Sequence, residues 1–146
     1  MRYLVLGLSI FLGAHSIRIV ADGWRARQLA RLGERRWKGL YALASLAGFA
    51  LIVWGYGQAR IAPVELWNPP LGTRHLAALL TLPAFVLLVA AYVPRNRLKA
   101  ALGHPMLAGT QLWAFAHLIA NGRLADVVLF GAFLAWSTAA FVSSRR

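Results

Sequence analysis

The chain has 146 residues, of which 60% are hydrophobic and 14% charged, and its mean hydropathy is positive; no soluble core of this size needs so much apolar sequence, so the composition describes a membrane chain. It has no cysteine, which excludes disulfides, thiolate haem ligation, iron–sulfur clusters and thiol catalysis, and leaves histidine as the only good soft-metal ligand. The net charge of +12 would suit nucleic acid, but the basic residues alternate with apolar spans that a nucleic-acid domain does not carry, so no nucleic-acid partner is expected.

Residues 3–20 form the first apolar segment, close to the roughly 20 residues that cross the hydrocarbon layer. Arg2, the apolar run and Gly13-Ala14 also match the loose pattern of a signal peptide. Against cleavage, the run carries His15, Ser16 and Arg18 without a break and passes into a basic stretch. A helix continued through these residues puts His15, Arg18 and Asp22 on one face, and a polar stripe at the end of a span implies a cavity. Residues 22–38 then carry Arg25, Arg27, Arg31, Arg35, Arg36 and Lys38, with Trp24 and Trp37 near the ends. An interfacial loop is expected there. Ala26, Leu29, Ala30 and Gly33 have helical spacing, so a short surface helix turning its arginines to anionic lipid fits as well; docking of an acidic partner is the functional alternative.

Residues 39–57 are the second span, with Tyr41 at one end and Trp54 and Tyr56 at the other as an aromatic belt, and with Gly48 and Gly55 allowing close packing. Pro63, Pro69 and Pro70 make a continuous helix over residues 58–74 untenable. The third span is residues 75–92, starting at His75, with Pro83 expected to kink it and Pro94 closing it. Arg95, Arg97 and Lys99 follow.

The fourth span is residues 105–120, in the stretch GHPMLAGTQLWAFAHLIANG. Pro105 suits a first helical turn, and Gly103 and Gly122 bracket the run. His104 and His117 are separated by three whole turns and roughly 220°, and by roughly 20 Å of rise. They face different ways at opposite ends, so a ligand held by His117 needs its partner from another helix. Below His117 the stripe reads Trp113, Thr110 or Gly109, and Met106, small residues beside one large aromatic. Residues 124–142 are the fifth span. No internal repeat or low-complexity tract is present, and the chain reads as one transmembrane domain over residues 1–146.

Five spans put the loops on alternating sides. One side holds four basic residues, Arg2, Arg60, Arg74 and Arg123, and the other holds the remaining twelve. The excess of positive charge marks the cytoplasmic side, so the N-terminus is expected outside and the C-terminus in the cytoplasm. His15 and His104 then lie toward the cytoplasmic side, and His75 and His117 toward the outer side. Each histidine taken alone is accommodated as a neutral imidazole bonded to a hydroxyl or carbonyl of a neighbouring helix, or as an interfacial residue. Functional candidacy attaches most to His15 and His117, because ionisable groups inside a membrane are functional by default.

Four stretches, HSIRIV at 15–20, GERRWKGLYALASLAGFALIVWGY at 33–56, AAYVPRNRLKAALGHPM at 90–106 and LWAFAHLIANG at 112–122, resemble the NnrU family of bacterial membrane proteins in order and spacing. The resemblance covers nearly the whole chain. It implies a multi-pass protein of the bacterial inner membrane associated with denitrification, particularly nitrite and nitric oxide reduction. The family is similar to the plant zeta-carotene isomerase, a membrane enzyme with b-type haem. The two haem-ligating histidines of that enzyme match His15 and His117, and a cysteine three residues before the second matches Ala114, so a thiolate ligand switch is unavailable here. Bis-histidine ligation between the first and fourth spans would fill both axial positions and favour electron transfer or a redox-gated site over open gas binding. Arg18, one turn from His15, is the nearest cation for a haem propionate. His104 is the alternative partner of His15.

The sequence thus predicts an all-α bundle of five transmembrane helices in the lipid bilayer, holding haem and acting with a nitrogen-oxide reductase system. The alternatives are a cofactor-free assembly or partner-binding subunit, which would use the arginine stretch, and a haem-dependent isomerase-like enzyme acting on an isoprenoid lipid. The topology has a direct test: a reporter active only in the cytoplasm should be active when fused after Arg146 and silent when placed after Met1. Both termini on one side would exclude an odd number of spans.

Overall fold

Among the described residues seven helices carry most of the sequence: α1 Arg2–Val20, α2 Asp22–Leu32, α3 Glu34–Ala59, α4 Leu71–Ala90, α5 Arg97–Leu102, α6 Pro105–Ala120 and α7 Leu124–Ser143. This computed structural model describes residues 1–145; Arg146, one of the basic residues counted on the cytoplasmic side, lies outside them. No strand occurs among the described residues, and one isolated antiparallel bridge joins Glu65 to Arg123. Helices satisfy their own backbone polar groups, as a hydrocarbon solvent requires. α1, α3, α4 and α7 are each long and apolar enough to cross a membrane. α6 has 16 residues and rises about 24 Å.

Helices stand where the five spans were expected, with shifted ends, and four of them are of membrane-crossing length. The second begins five residues earlier, at Glu34, because nothing stops the helix before Gly33, whose φ of +80° is a left-handed conformation that suits glycine. The third runs Leu71–Ala90 with Pro83 inside it, and the fourth covers Pro105–Ala120. The continued helix through Asp22 does not form. Ala21, at φ −141° and ψ 39°, ends α1. Asp22 opens α2 instead and accepts a hydrogen bond from Arg25 at 3.0 Å, so it leaves the face that holds His15 and Arg18. The surface helix in the arginine stretch is present as α2.

The chain divides into two compact units, Met1–Ala62 and Pro63–Arg146. In the first, α1 and α3 pack antiparallel through glycines. A Cβ on Gly7 would stand 2.6 Å from Ile52 N, one on Gly48 would stand 2.7 Å from Phe11 N, and one on Gly55 would collide with Leu4 N. The backbones therefore touch along the whole seam, as small residues permit in a bilayer. Tyr3 stacks on Trp54 at one end, with centroids 4.5 Å apart, and His15 approaches Tyr41 at the other, at 5.4 Å. The opposite face of α3 leaves Leu43, Leu46 and Val53 more than half exposed, an apolar stripe of the kind lipid covers.

In the second unit α6 packs against both α4 and α7. Toward α4 the contact is close: a Cβ on Gly109 would stand 2.9 Å from Ala84 O. Toward α7 it is aromatic, with Trp113 edge-on to Phe130 and Phe133 at 5.2 and 5.8 Å. Gln111 Nε2 donates to Ser137 O at 3.2 Å, and His104 lies 6.5 Å from Phe141, so α6 runs antiparallel along most of α7. α5 arises from a cap: Asn96 Oδ1 accepts from Lys99 N at 2.8 Å, while its Nδ2 donates to Ala90 O and Val93 O.

The seam predicts a graded response to added methyl groups. Gly48→Leu should lower stability by about 1–3 kcal/mol or more through overpacking, read as an earlier midpoint in denaturant unfolding from detergent. Gly13, with nothing within 4 Å of its Cβ position, should accept Ala with no loss.

Candidate functional site

His15 lies five residues before the end of α1 and is half-buried. Its Nδ1 is 2.7 Å from the carbonyl oxygen of Phe11, one turn back. A carbonyl only accepts, so Nδ1 carries the proton and the ring lone pair is on Nε2. Phe11 and Tyr41 flank the ring, with centroids at 4.3 and 5.4 Å. The imidazole borders a cavity of about 310 Å³ enclosed by α1, α2 and α3, whose lining also includes Arg18, Arg25, Leu29, Trp37 and Lys38. The cavity foreseen from the polar stripe is therefore present, with His15 and Arg18 on its wall, although Asp22 does not contribute to that wall. Arg18 is exposed.

His117 repeats the arrangement in the second unit. It lies in the last turn of α6, half-buried, and its Nδ1 is 2.9 Å from Trp113 O, again one turn back. Nε2 again holds the lone pair. Trp113 and Phe130 wall the ring, with centroids 5.1 and 4.5 Å away. Asn121 Nδ2 donates to His117 O at 2.9 Å and closes the helix end. Both histidines thus satisfy one ring nitrogen on their own helix, where the sequence reading looked to a neighbouring one. That local bond matters chemically: an imidazole whose N–H is held by a carbonyl has a defined tautomer and orientation, the usual state of a metal-ligating histidine.

The other two histidines differ. His104 precedes the first turn of α6, makes no side-chain cap bond and is exposed. It stands at the far end of the helix from His117, so the two are not brought together. His75 is exposed near the start of α4. Ala114 is fully buried, one turn before His117, so no thiol stands at that position.

A second polar locus escaped the sequence reading. Asp126, in the first turn of α7, is 2% exposed. It borders a pocket of about 140 Å³ with Glu65, Asn68, Arg74, Asn121 and Arg123. The pocket forms because the proline-rich loop folds back over the α6–α7 turn: Leu66 N donates to Gly122 O at 2.7 Å and Leu124 N to Val64 O at 2.9 Å. A Cβ on Gly122 would collide with the carbonyl of Trp67. The available signal was an aspartate inside an apolar run, LADVVLF, at a helix N-terminus where peptide dipoles favour an anion.

Among the described residues no three or more His, Cys, Asp or Glu side chains gather as a metal-binding group. Haem iron accepts imidazole nitrogen from protein, and each unit taken by itself presents one pre-oriented imidazole with aromatic walls and Nε2 as its donor. A family model described as NnrU protein matches residues 3–146. No curated protein and no solved structure matches the chain.

Proposed function

Because this chain belongs to the NnrU family, we propose that it is a multi-pass protein of the bacterial cytoplasmic membrane that serves denitrification and holds a b-type haem with His15 and His117 as axial ligands. The observation that carries the proposal is the geometry the two imidazoles share: Nδ1 bonded to the carbonyl four residues back, at 2.7 and 2.9 Å. Each ring is thereby locked with Nε2 as its donor. Bound haem would supply one-electron chemistry, suited to electron transfer or to a redox-gated site in nitrite and nitric oxide reduction. Arg18, on the cavity wall beside His15, supplies a cation for a propionate.

In this reading α6 also crosses the membrane, making five spans with α1, α3, α4 and α7. It lies beside α7 from the level of Phe141 to that of Phe130, so a bilayer crossed by α7 encloses α6 as well. Five crossings place the N-terminus outside and the C-terminus in the cytoplasm, with α2 on the cytoplasmic surface.

Replacing His15 or His117 with Ala should abolish the low-spin bis-imidazole absorption spectrum of the purified, haem-supplied protein, while His75→Ala and His104→Ala should keep it. Retention in His117→Ala with loss in His104→Ala would move the site to His15 and His104. Absence of haem from the wild-type protein under ample supply would turn the assignment to an assembly subunit without cofactor.

A further inference from the structure

We propose that the cavity beneath α2 is a binding site for the phosphate headgroup of an anionic phospholipid, with Arg25 and Lys38 as its cations. The site shares its cavity with His15 and Arg18, uses other residues of the lining, and leaves Arg18 to the role given above.

α2 is tethered at both ends by helices of membrane-crossing length, with only Ala21 before it and Gly33 after it. Such a helix can only lie along the membrane surface, at the depth where lipid phosphates sit. It turns Arg25, Gln28, Leu29 and Leu32 toward the protein and leaves Trp24, Arg27 and Arg31 exposed. The cavity between α2 and the two spans has an apolar floor that includes Ile17, Leu29 and Trp37, and its charged lining is Arg18, Arg25 and Lys38 against the single carboxylate Glu34. This excess of positive charge is built in. Arg25 is held by Asp22 at 3.0 Å and Lys38 by Glu34 at 2.5 Å, each pair within one helix, and the Asp22 and Glu34 side chains are 63% and 71% exposed. Arg25, whose side chain is 34% exposed, is therefore pre-oriented beside the cavity while Asp22 lies outside its lining, which lowers the ordering cost of gripping an oxyanion, and Lys38, 73% exposed, joins it from the solvent side.

Lipid is favoured over a soluble anion by what lines the cavity. Its own lining is amphipathic, with Ile17, Leu29 and Trp37 beside the cations, so the start of an acyl chain has apolar contact where the headgroup is seated. At about 310 Å³, the space is at the small end of ligand sites and suits a glycerophosphate rather than a large head.

The test is titration of the detergent-solubilised full chain with mixed micelles containing phosphatidylglycerol, with micelles containing phosphatidylcholine, and with inorganic phosphate. Phosphatidylglycerol should bind at one site per chain. The R25Q/K38Q variant should weaken it about 25-fold, about fivefold for each cation near the membrane surface, and the charge-preserving R25K/K38R variant should restore it if folding is intact by circular dichroism. R97Q/K99Q, which removes two cations from the other basic stretch, should leave it unchanged. Equal binding of both lipids, or equal loss in R97Q/K99Q, would overturn the site in favour of diffuse surface charge. Saturation by inorganic phosphate with no gain from phosphatidylglycerol would overturn the lipid assignment. Because Arg25 and Lys38 are not haem ligands, R25Q/K38Q should keep any haem spectrum, which separates failure of this inference from failure of the haem reading.

Discussion

Inside hydrocarbon, apolar faces gain little by meeting each other, so helices associate to the extent that their backbones can approach. In the first unit that approach is made by Gly7, Gly48 and Gly55, each backed directly onto the backbone of the facing helix. A seam this close has one register. Sliding α3 by a single residue would bring side chains where only hydrogens fit. The aromatic contacts follow from that register: Tyr3 meets Trp54, Phe11 meets Phe49, and His15 meets Tyr41. The environment of His15 is thus a consequence of glycines several turns away.

The second unit reaches the same end by an asymmetric route. α6 offers Gly109 to α4 and Trp113 to α7, so one side is closed by backbone proximity and the other by ring packing. A polar ring inside hydrocarbon is costly unless its donor is satisfied. His117 meets this requirement within its own helix by donating to Trp113 O. The walls that orient the ring also come from near it in sequence or from the facing helix, so the tautomer and direction of Nε2 are set without any group from α4.

What was legible in the sequence is what depends on short-range chemistry. Pro105 and the flanking glycines marked α6 to the residue, because proline at a helix start and glycine beyond its end act locally. The close packing of α3 was foreshadowed by Gly48 and Gly55, though not that its partner is α1. The break at Ala21 was not, since alanine favours helix and nothing in its neighbours forbids continuation; the chain turns there because α2 has to leave the hydrocarbon with its arginines. α5 escaped because its cap, Asn96, was hidden within a basic stretch between Pro94 and Gly103. The pocket of Asp126 escaped for a different reason. It depends on a loop returning to residues about sixty positions further along the chain, through the bonds of Val64 and Leu66 to Leu124 and Gly122, and such a contact has no local signature.

The two histidines share a bond pattern but not a setting, and the difference bears on how they can move. Phe130 and Trp113 clamp the ring of His117, and the folded-back loop pins the turn immediately beyond it through Gly122. Rotating that side chain means displacing packed aromatics, which a close-packed interior resists. His15 also touches aromatic rings, yet it borders open volume in its own unit, so its χ angles can change without repacking a helix seam. Each within its own unit, His117 is thus the more tightly packed imidazole and His15 the one beside open volume.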